Sequence, residues 1–384
     1  MRTPFPQHSF LAMALGLALA PAAFAQVPAN PEATQPVRQA AASTKPAPVG
    51  DASHGDAPAP AAKPATATTP AAQDAPAATP AASTTDAADH AANVGTLADP
   101  VGPSSKGDAV LRAQILLDRA NFSPGEIDGA YGSNMARAIR GFQAKAGIES
   151  SGTVDMPTWA ALNRDGAPVL GLFTLTEADL GGPYVKIPAD MMEKSKLPAL
   201  GYTSALEALG EKFHASPKLL QQLNPGKSFA AGEKIVAPVV GNGDGISGVD
   251  HVVVDKSEST VSLVDAAGKK LAQFPASSGS EHDPLPIGEW KINGASKDPT
   301  FNYNPDLFWD ADPKHSKAKI PAGPNNPVGV VWVDLSKEHY GIHGTPEPSR
   351  IGKSQSHGCI RLTNWTARVL AQHVKPGMKA LLQE

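Results

Sequence analysis

Tyr340-Gly341-Ile342-His343-Gly344-Thr345, a loop carrying Arg350 and Lys353, and then Ser356-His357-Gly358-Cys359-Ile360-Arg361-Leu362 decide how this chain is read. Cys359 is the single cysteine in 384 residues, which rules out an intramolecular disulfide and a four-cysteine zinc site. A thiol near its unperturbed pKa of about 8.5 is only a few per cent thiolate at neutral pH, so a nucleophilic cysteine needs a base or a cation beside it. Two histidines compete for that place. His357 lies two residues before the cysteine, on the same side in an extended segment, whereas His343 requires the chain to fold its strand alongside.

The segment from Arg350 to Arg361 holds three basic side chains and no acidic one. That balance lowers the energy of a thiolate and suits a substrate bearing carboxylates, and the turn from Ser356 to Cys359 can aim backbone N–H groups at a developing oxyanion. Acyl transfer through a thioester is the reaction class that follows. Two plainer readings stand beside it. A free cysteine is commonly a small buried apolar group, and a zinc site would draw on His343, His357 and Cys359, which lack a familiar zinc spacing. We therefore expect no metal and no cofactor.

Working outward, residues 250–384 read as mainly β. Val252-Val253-Val254, Val261 to Val264, Leu271 to Phe274, Gly288 to Ile292 and Val328 to Val333 are strand candidates, and helical spacing is confined to Asn364–His373. Gly241 to Gly248 reads as a linker. Before it, residues 184–240 suggest two short helices and a strand at Ile235-Val236-Ala237. Residues 105–165 show helical spacing from Val110 to Leu116 and from Met135 to Ala146, with Ser133 as a candidate N-cap and Pro157-Thr158-Trp159 opening a third helix. Residues 26–104 are rich in Ala, Pro, Thr and Ser, contain no Phe, Trp or Tyr, and read as a disordered tail. Residues 1–25 read as a secretory signal, with Arg2, an apolar run from Phe10 to Leu19 and a small-x-small site at Ala23-Phe24-Ala25. That run is too short for a spanning helix, so no stable membrane anchor is expected after cleavage. A net charge of −4 removes the footprint of a general nucleic-acid binder.

Three segments resemble known families. Leu111 to Leu116, Asp128-Gly129-Ala130-Tyr131-Gly132, Phe142-Gln143 and Gly152 to Leu162 resemble the three-helix peptidoglycan-binding domain. Residues 184–240 resemble a LysM glycan-binding module in part, since the Gly-Asp-Thr opening of its first helix is missing; a small packing unit is the other reading. Pro321-Ala322-Gly323-Pro324-Asn325-Asn326-Pro327-Val328-Gly329, Ile342-His343-Gly344-Thr345 and Ser356 to Leu362 resemble the L,D-transpeptidases of the YkuD type, from about His251 to the C-terminus. The expected fold is multidomain: a mainly β catalytic domain of that type behind a small helical domain and a small α/β module.

The resemblance implies that Cys359 attacks a stem-peptide carbonyl and that His343 accepts the thiol proton. It places His357 in a supporting position and lets Ser356, Gly358 and Cys359 shape the oxyanion site, with Gly344 in support and Tyr340 on the substrate side. Where a common form of the motif has Asn, this chain has Arg361, which we read as a carboxylate clamp, with a plain strand-end Arg as the other reading. Asp306 to Asp312 and Lys314 to Lys319 are read as a mobile flap over the site or as a plain surface loop. The implied partners are the stem peptides and glycan of peptidoglycan, with carbapenem-type β-lactams as inhibitors, and the implied location is the periplasm or the wall. A peptidase of the same fold, with water as acceptor, and a catalytically silent wall-binding protein are the alternative functions.

Overall fold

The helical spacing of the front half becomes three helices in a computed structural model, which describes residues 90–94 and 99–384. They are α1 (Asp108–Arg119), α2 (Ser133–Ala146) and α3 (Met156–Leu162). Ser133 is the first helical residue of α2 and Gly132 occupies the cap; at the other end Gly147 takes the left-handed conformation, φ 70°, that stops the helix. Asp155 caps α3 by accepting the Thr158 N–H, with Pro157 in the first turn.

The expected signal segment and most of the expected tail lie outside the described residues, but the tail reading fails at its C-terminal end. Ala92 is fully buried, its carbonyl accepts from Arg112, and Val101 bridges to Val154. Even a small apolar residue gains by filling a packed interior, and composition averaged over the tail hides the few positions that do so.

The second unit runs β1 (Leu170–Thr174), α4 (Glu177–Leu180), α5 (Met191–Lys194), α6 (Ala205–Lys212), α7 (Pro217–Leu223) and β2 (Lys234–Pro238). β1 pairs antiparallel with β2 in the register Leu170↔Pro238, so the unit begins ahead of residue 184. Leu-Gly-Leu-Phe-Thr is buried at four of its five positions; it shows no alternation, and a short apolar run alone does not announce a strand. This unit has no separate core. Leu170, Phe173, Leu209 and Ile235 join Ile115, Leu117 and Ile139 of the helical domain in one cluster.

The remaining residues form β3 (His251–Asp255), β4 (Thr260–Val264), β5 (Lys270–Pro275), β6 (Ser277–Ser278), β7 (Gly288–Lys297), β8 (Phe301–Tyr303), β9 (Ala318–Ile320), β10 (Val331–Leu335), β11 (Gly341–His343), β12 (Ile360–Arg361), α8 (Asn364–His373) and β13 (Lys379–Gln383). Nine strands make one sheet in the order β5-β4-β3-β13-β7-β10-β11-β12-β6. Its two edge strands, β5 and β6, are separated only by Ala276, which forces the sheet to curl into a nearly closed barrel. Val252, Leu263, Phe274, Val333, Ile342 and Leu382 fill the core, with Leu370 from α8 packed on it. β8 and β9 form a separate two-stranded ribbon.

The helical domain covers the β5 edge. Ser123 N–H donates to the Gln273 carbonyl and Gln273 N–H to the Asn121 carbonyl, each at 2.9 Å, and the Gln273 side chain donates to the Arg137 carbonyl. Capping an edge strand satisfies its backbone groups and blocks pairing with another chain. The stretch expected as a linker is tied down as well: Gly241 N–H donates to Asp118 and the Asn121 side chain to the Asp244 carbonyl.

Candidate active site

β11 and β12 run parallel, with Ile342 opposite Ile360 and His343 opposite Arg361. Side chains alternate along a strand, so Ile342 and Ile360 enter the core while His343, Cys359 and Arg361 share the other face. This topology brings the two separated motifs together. Gly341 stands on the same face, where a side chain would strike the ring of Trp332. Trp332, opposite His343 on β10, stacks on the imidazole with centroids 5.6 Å apart and planes at 18°.

His343 is 4% exposed, and its Nδ1 lies 2.7 Å from the Gly344 carbonyl oxygen. A carbonyl only accepts, so Nδ1 carries the proton and Nε2 keeps its lone pair. Burial pushes the imidazole pKa down to about 4; the Arg361 charge acts in the same direction and the bond to Gly344 opposes them. Cys359 is half-buried, with Sγ 3.6 Å from the His339 carbonyl oxygen. Burial pushes its thiol up, against the Gly341 N–H and Arg361, which favour the thiolate. Desolvation therefore outweighs the basic surroundings read from sequence. At rest the pair is a neutral thiol and a neutral imidazole on one face, with no hydrogen bond between them.

Ser356 is buried and acts as a brace. Its N–H donates to the Gly279 carbonyl, its Oγ accepts from the Gly279 N–H at 2.7 Å, and its hydroxyl donates to the Cys359 carbonyl at 2.5 Å. Gly358 has φ 92°, and Tyr340 lies where a side chain at that position would go. Burial raises the Tyr340 phenol, and the neighbouring Cys359 and Asp283 charges act the same way. A side chain at Gly344 would collide with the Asn364 amide. Of the basic groups noted in sequence, Arg350 pairs with Glu347 and Lys353 donates to the Ser349 carbonyl. The Arg361 guanidinium has neither hydrogen bond nor ion pair within the described residues, and the nearby charges acting on it are those of Cys359, Glu347 and Arg350.

His357 contacts the loop of residues 305–312. Its Nε2 lies 3.1 Å from Asp310 and its ring sits edge-on to Phe308. Trp309, 63% exposed, stands beside the His282 ring at 4.5 Å. The β8–β9 ribbon around this tip is held by the second unit, since His315 contacts Asp190 through Nε2 and the Tyr303 hydroxyl through Nδ1. Tyr303 and Ile320 pack with Leu200. Sequence reasoning did not find Trp332 or this tie, because both depend on distant strand pairing that leaves no local periodic signal.

The L,D-transpeptidase catalytic domain family, YkuD, matches residues 249–381, and a peptidoglycan binding domain family matches residues 106–162. The chain is 29% identical over 179 residues to the L,D-transpeptidase YkuD of Bacillus subtilis, covering 46% of this chain and 92% of that one. Among solved structures, an L,D-transpeptidase from Mycobacterium smegmatis is 22% identical, with 40% of this chain and 64% of that one covered and a TM-score of 0.29. The YkuD protein of Bacillus licheniformis is 31% identical over 177 residues, 45% of this chain and 90% of its own length. That identity, over nine tenths of the relative's length, makes this chain a member of the YkuD family of L,D-transpeptidases.

Proposed function

We propose that Cys359 is the nucleophile and His343 the general base of a peptidoglycan L,D-transpeptidase. The chain is a cysteine-dependent acyltransferase of the cell wall, and the observation supporting these roles is the parallel register that sets a tautomer-fixed imidazole and the thiol on one face. Substrate approach brings Sγ to the carbonyl of the L-centre of the third stem residue as the thiol proton passes to His343 Nε2. The C–S bond forms, and collapse of the tetrahedral adduct expels the amine of the terminal D-residue, which takes the proton from the imidazolium. An acceptor amine then attacks the thioester, gives its proton to His343, and releases Cys359, which is reprotonated.

The Gly358 N–H donates to no acceptor within the described residues and is free for the oxyanion, whereas the Ser356 N–H is occupied. Arg361 binds a stem carboxylate, Tyr340 lines the substrate side, and His357 supports the flap. The helical domain binds peptidoglycan, and the pairing of β1 with β2 around α6 and α7, with the short α4 and α5 inserted after β1, supports a LysM-like glycan contact by residues 170–238. Binding modules on the same chain raise the local substrate concentration without altering the chemistry. The enzyme works outside the cytoplasm, carried there by residues 1–25 as a signal.

Two measurements test this reading. Cys359→Ala is expected to abolish the covalent adduct with a carbapenem in the intact-protein mass, and an adduct of unchanged yield removes the nucleophile. With a tetrapeptide-stem muropeptide, dimers or an exchanged terminal residue are expected; a shortened stem alone would make the protein a peptidase.

A further inference from the structure

The loop that delivers Cys359 begins at Ile351 and is anchored at its two ends. At the far end Ser356 is braced by Gly279, as described above. Between the anchors the loop borders a cavity of about 530 Å³, lined among others by Ser259, Ser278, Lys353 and Gln355. Lys353 and Gln355 are exposed there, while Ile351 and Ser356 at the two ends are buried.

At the near end one of the two anchoring bonds comes from another domain. Asn134, in the first turn of α2, is 8% exposed, and its Nδ2 donates to the Ile351 carbonyl at 2.8 Å. Arg137 donates to Asn134 Oδ1 at 3.0 Å, which fixes the orientation of the amide so that its donor faces the loop. The next residue, Gly352, has φ 71°, and a side chain there would collide with Asn134. The Gly352 N–H donates to Ser277 on β6, the strand that pairs with β12. One amide of the helical domain thus meets the catalytic loop where the loop joins the sheet holding Ile360 and Arg361. The docking of Gln273 on Asn121, Ser123 and Arg137 keeps α2 from shifting away.

We propose that Asn134 is a positioning residue for Cys359, so that the peptidoglycan-binding domain completes the catalytic framework as well as holding the wall. This rests on Cys359 being the nucleophile. A side-chain amide near a helix start ordinarily serves its own helix; here it leaves the helix to hold a loop more than two hundred residues away in sequence. Losing that bond frees the loop to relax toward the cavity, and small displacements of a nucleophile are costly in rate.

The test uses the full chain. Asn134→Asp keeps the size and removes the donor; Asn134→Ala removes both. Each is expected to slow carbapenem acylation about tenfold, the scale of one buried hydrogen bond. With a muropeptide donor kcat should fall while KM is kept, and hydrogen exchange over residues 351–358 should quicken. Arg140→Ala breaks the Arg140–Glu258 pair at the same domain boundary without touching the loop, and is expected to acylate at the parent rate. Parent-rate acylation by folded Asn134→Asp overturns the proposal. So does a loss equalled by Arg140→Ala, or one that follows only a fall in melting temperature. If Cys359→Ala still forms the adduct, the nucleophile assignment fails instead, and that result is read separately.

Discussion

At the scale of single residues, His343 has the testable titration. A solvated histidine takes its proton near pH 6.5, whereas this one is held to about 4 by burial. The unfolded chain therefore binds a proton that the folded chain refuses, and stability is lost as pH falls from about 6.5 to about 4, by on the order of 3 kcal/mol, with no further loss below. The same depression keeps the base unprotonated in mild acid. Acylation rates should hold steady from neutral pH and fall with an apparent pKa near 4; an inflection near 6.5 would mean that the ring is solvated. His343→Ala should fold and acylate at least about a hundredfold more slowly. Cys359 and His343 were legible because nucleophile chemistry restricts residue type and local sequence. The thiolate expected from nearby basic residues was not found, since sequence shows the charges but not the desolvation opposing them. Trp332 was hidden because its partner is set by the β10–β11 register.

At the scale of elements, α6 meets α8 through the carboxyl of a half-buried glutamate. Asn364, the first residue of α8, donates to Glu211 on α6 at 2.7 Å and accepts the Val330 N–H at 3.2 Å, beside Gly344. Burial raises the Glu211 pKa to about 7; Glu207 acts in the same direction, and Asn364 and Arg368 oppose. Unfolded, the group ionises near 4.5, so the folded state holds the extra proton between 4.5 and 7. The stabilisation is complete below that window and disappears as pH rises through it. Glu211→Gln, neutral at every pH, should raise the melting temperature by a few degrees at pH 8 and change little at pH 5; equal shifts at both pH values would rule out the titration. Runs of β-branched residues made β3 and β4 readable, and helical spacing made α2 and α8 readable. β1 escaped because its residues are apolar on both faces, and β13 because its pairing with β3 and β7 spans the domain.

At the scale of the molecule, composition predicted separate modules on a string, yet the structure joins the first two through one apolar interior. Leu209→Ala on α6 should cost about 2–5 kcal/mol and quicken hydrogen exchange in α1 along with α6. Exchange in α1 left unchanged would mean that the two units melt independently. Periodicity identifies an apolar face but not which domain that face will meet. The joint interior also bears on how the chain can be re-engineered. Residues 106–162 transplanted alone onto another enzyme would lose Leu170, Phe173, Leu209 and Ile235 from the shared interior and tend to clump, so a workable adhesive graft must carry everything from residue 90 to residue 240.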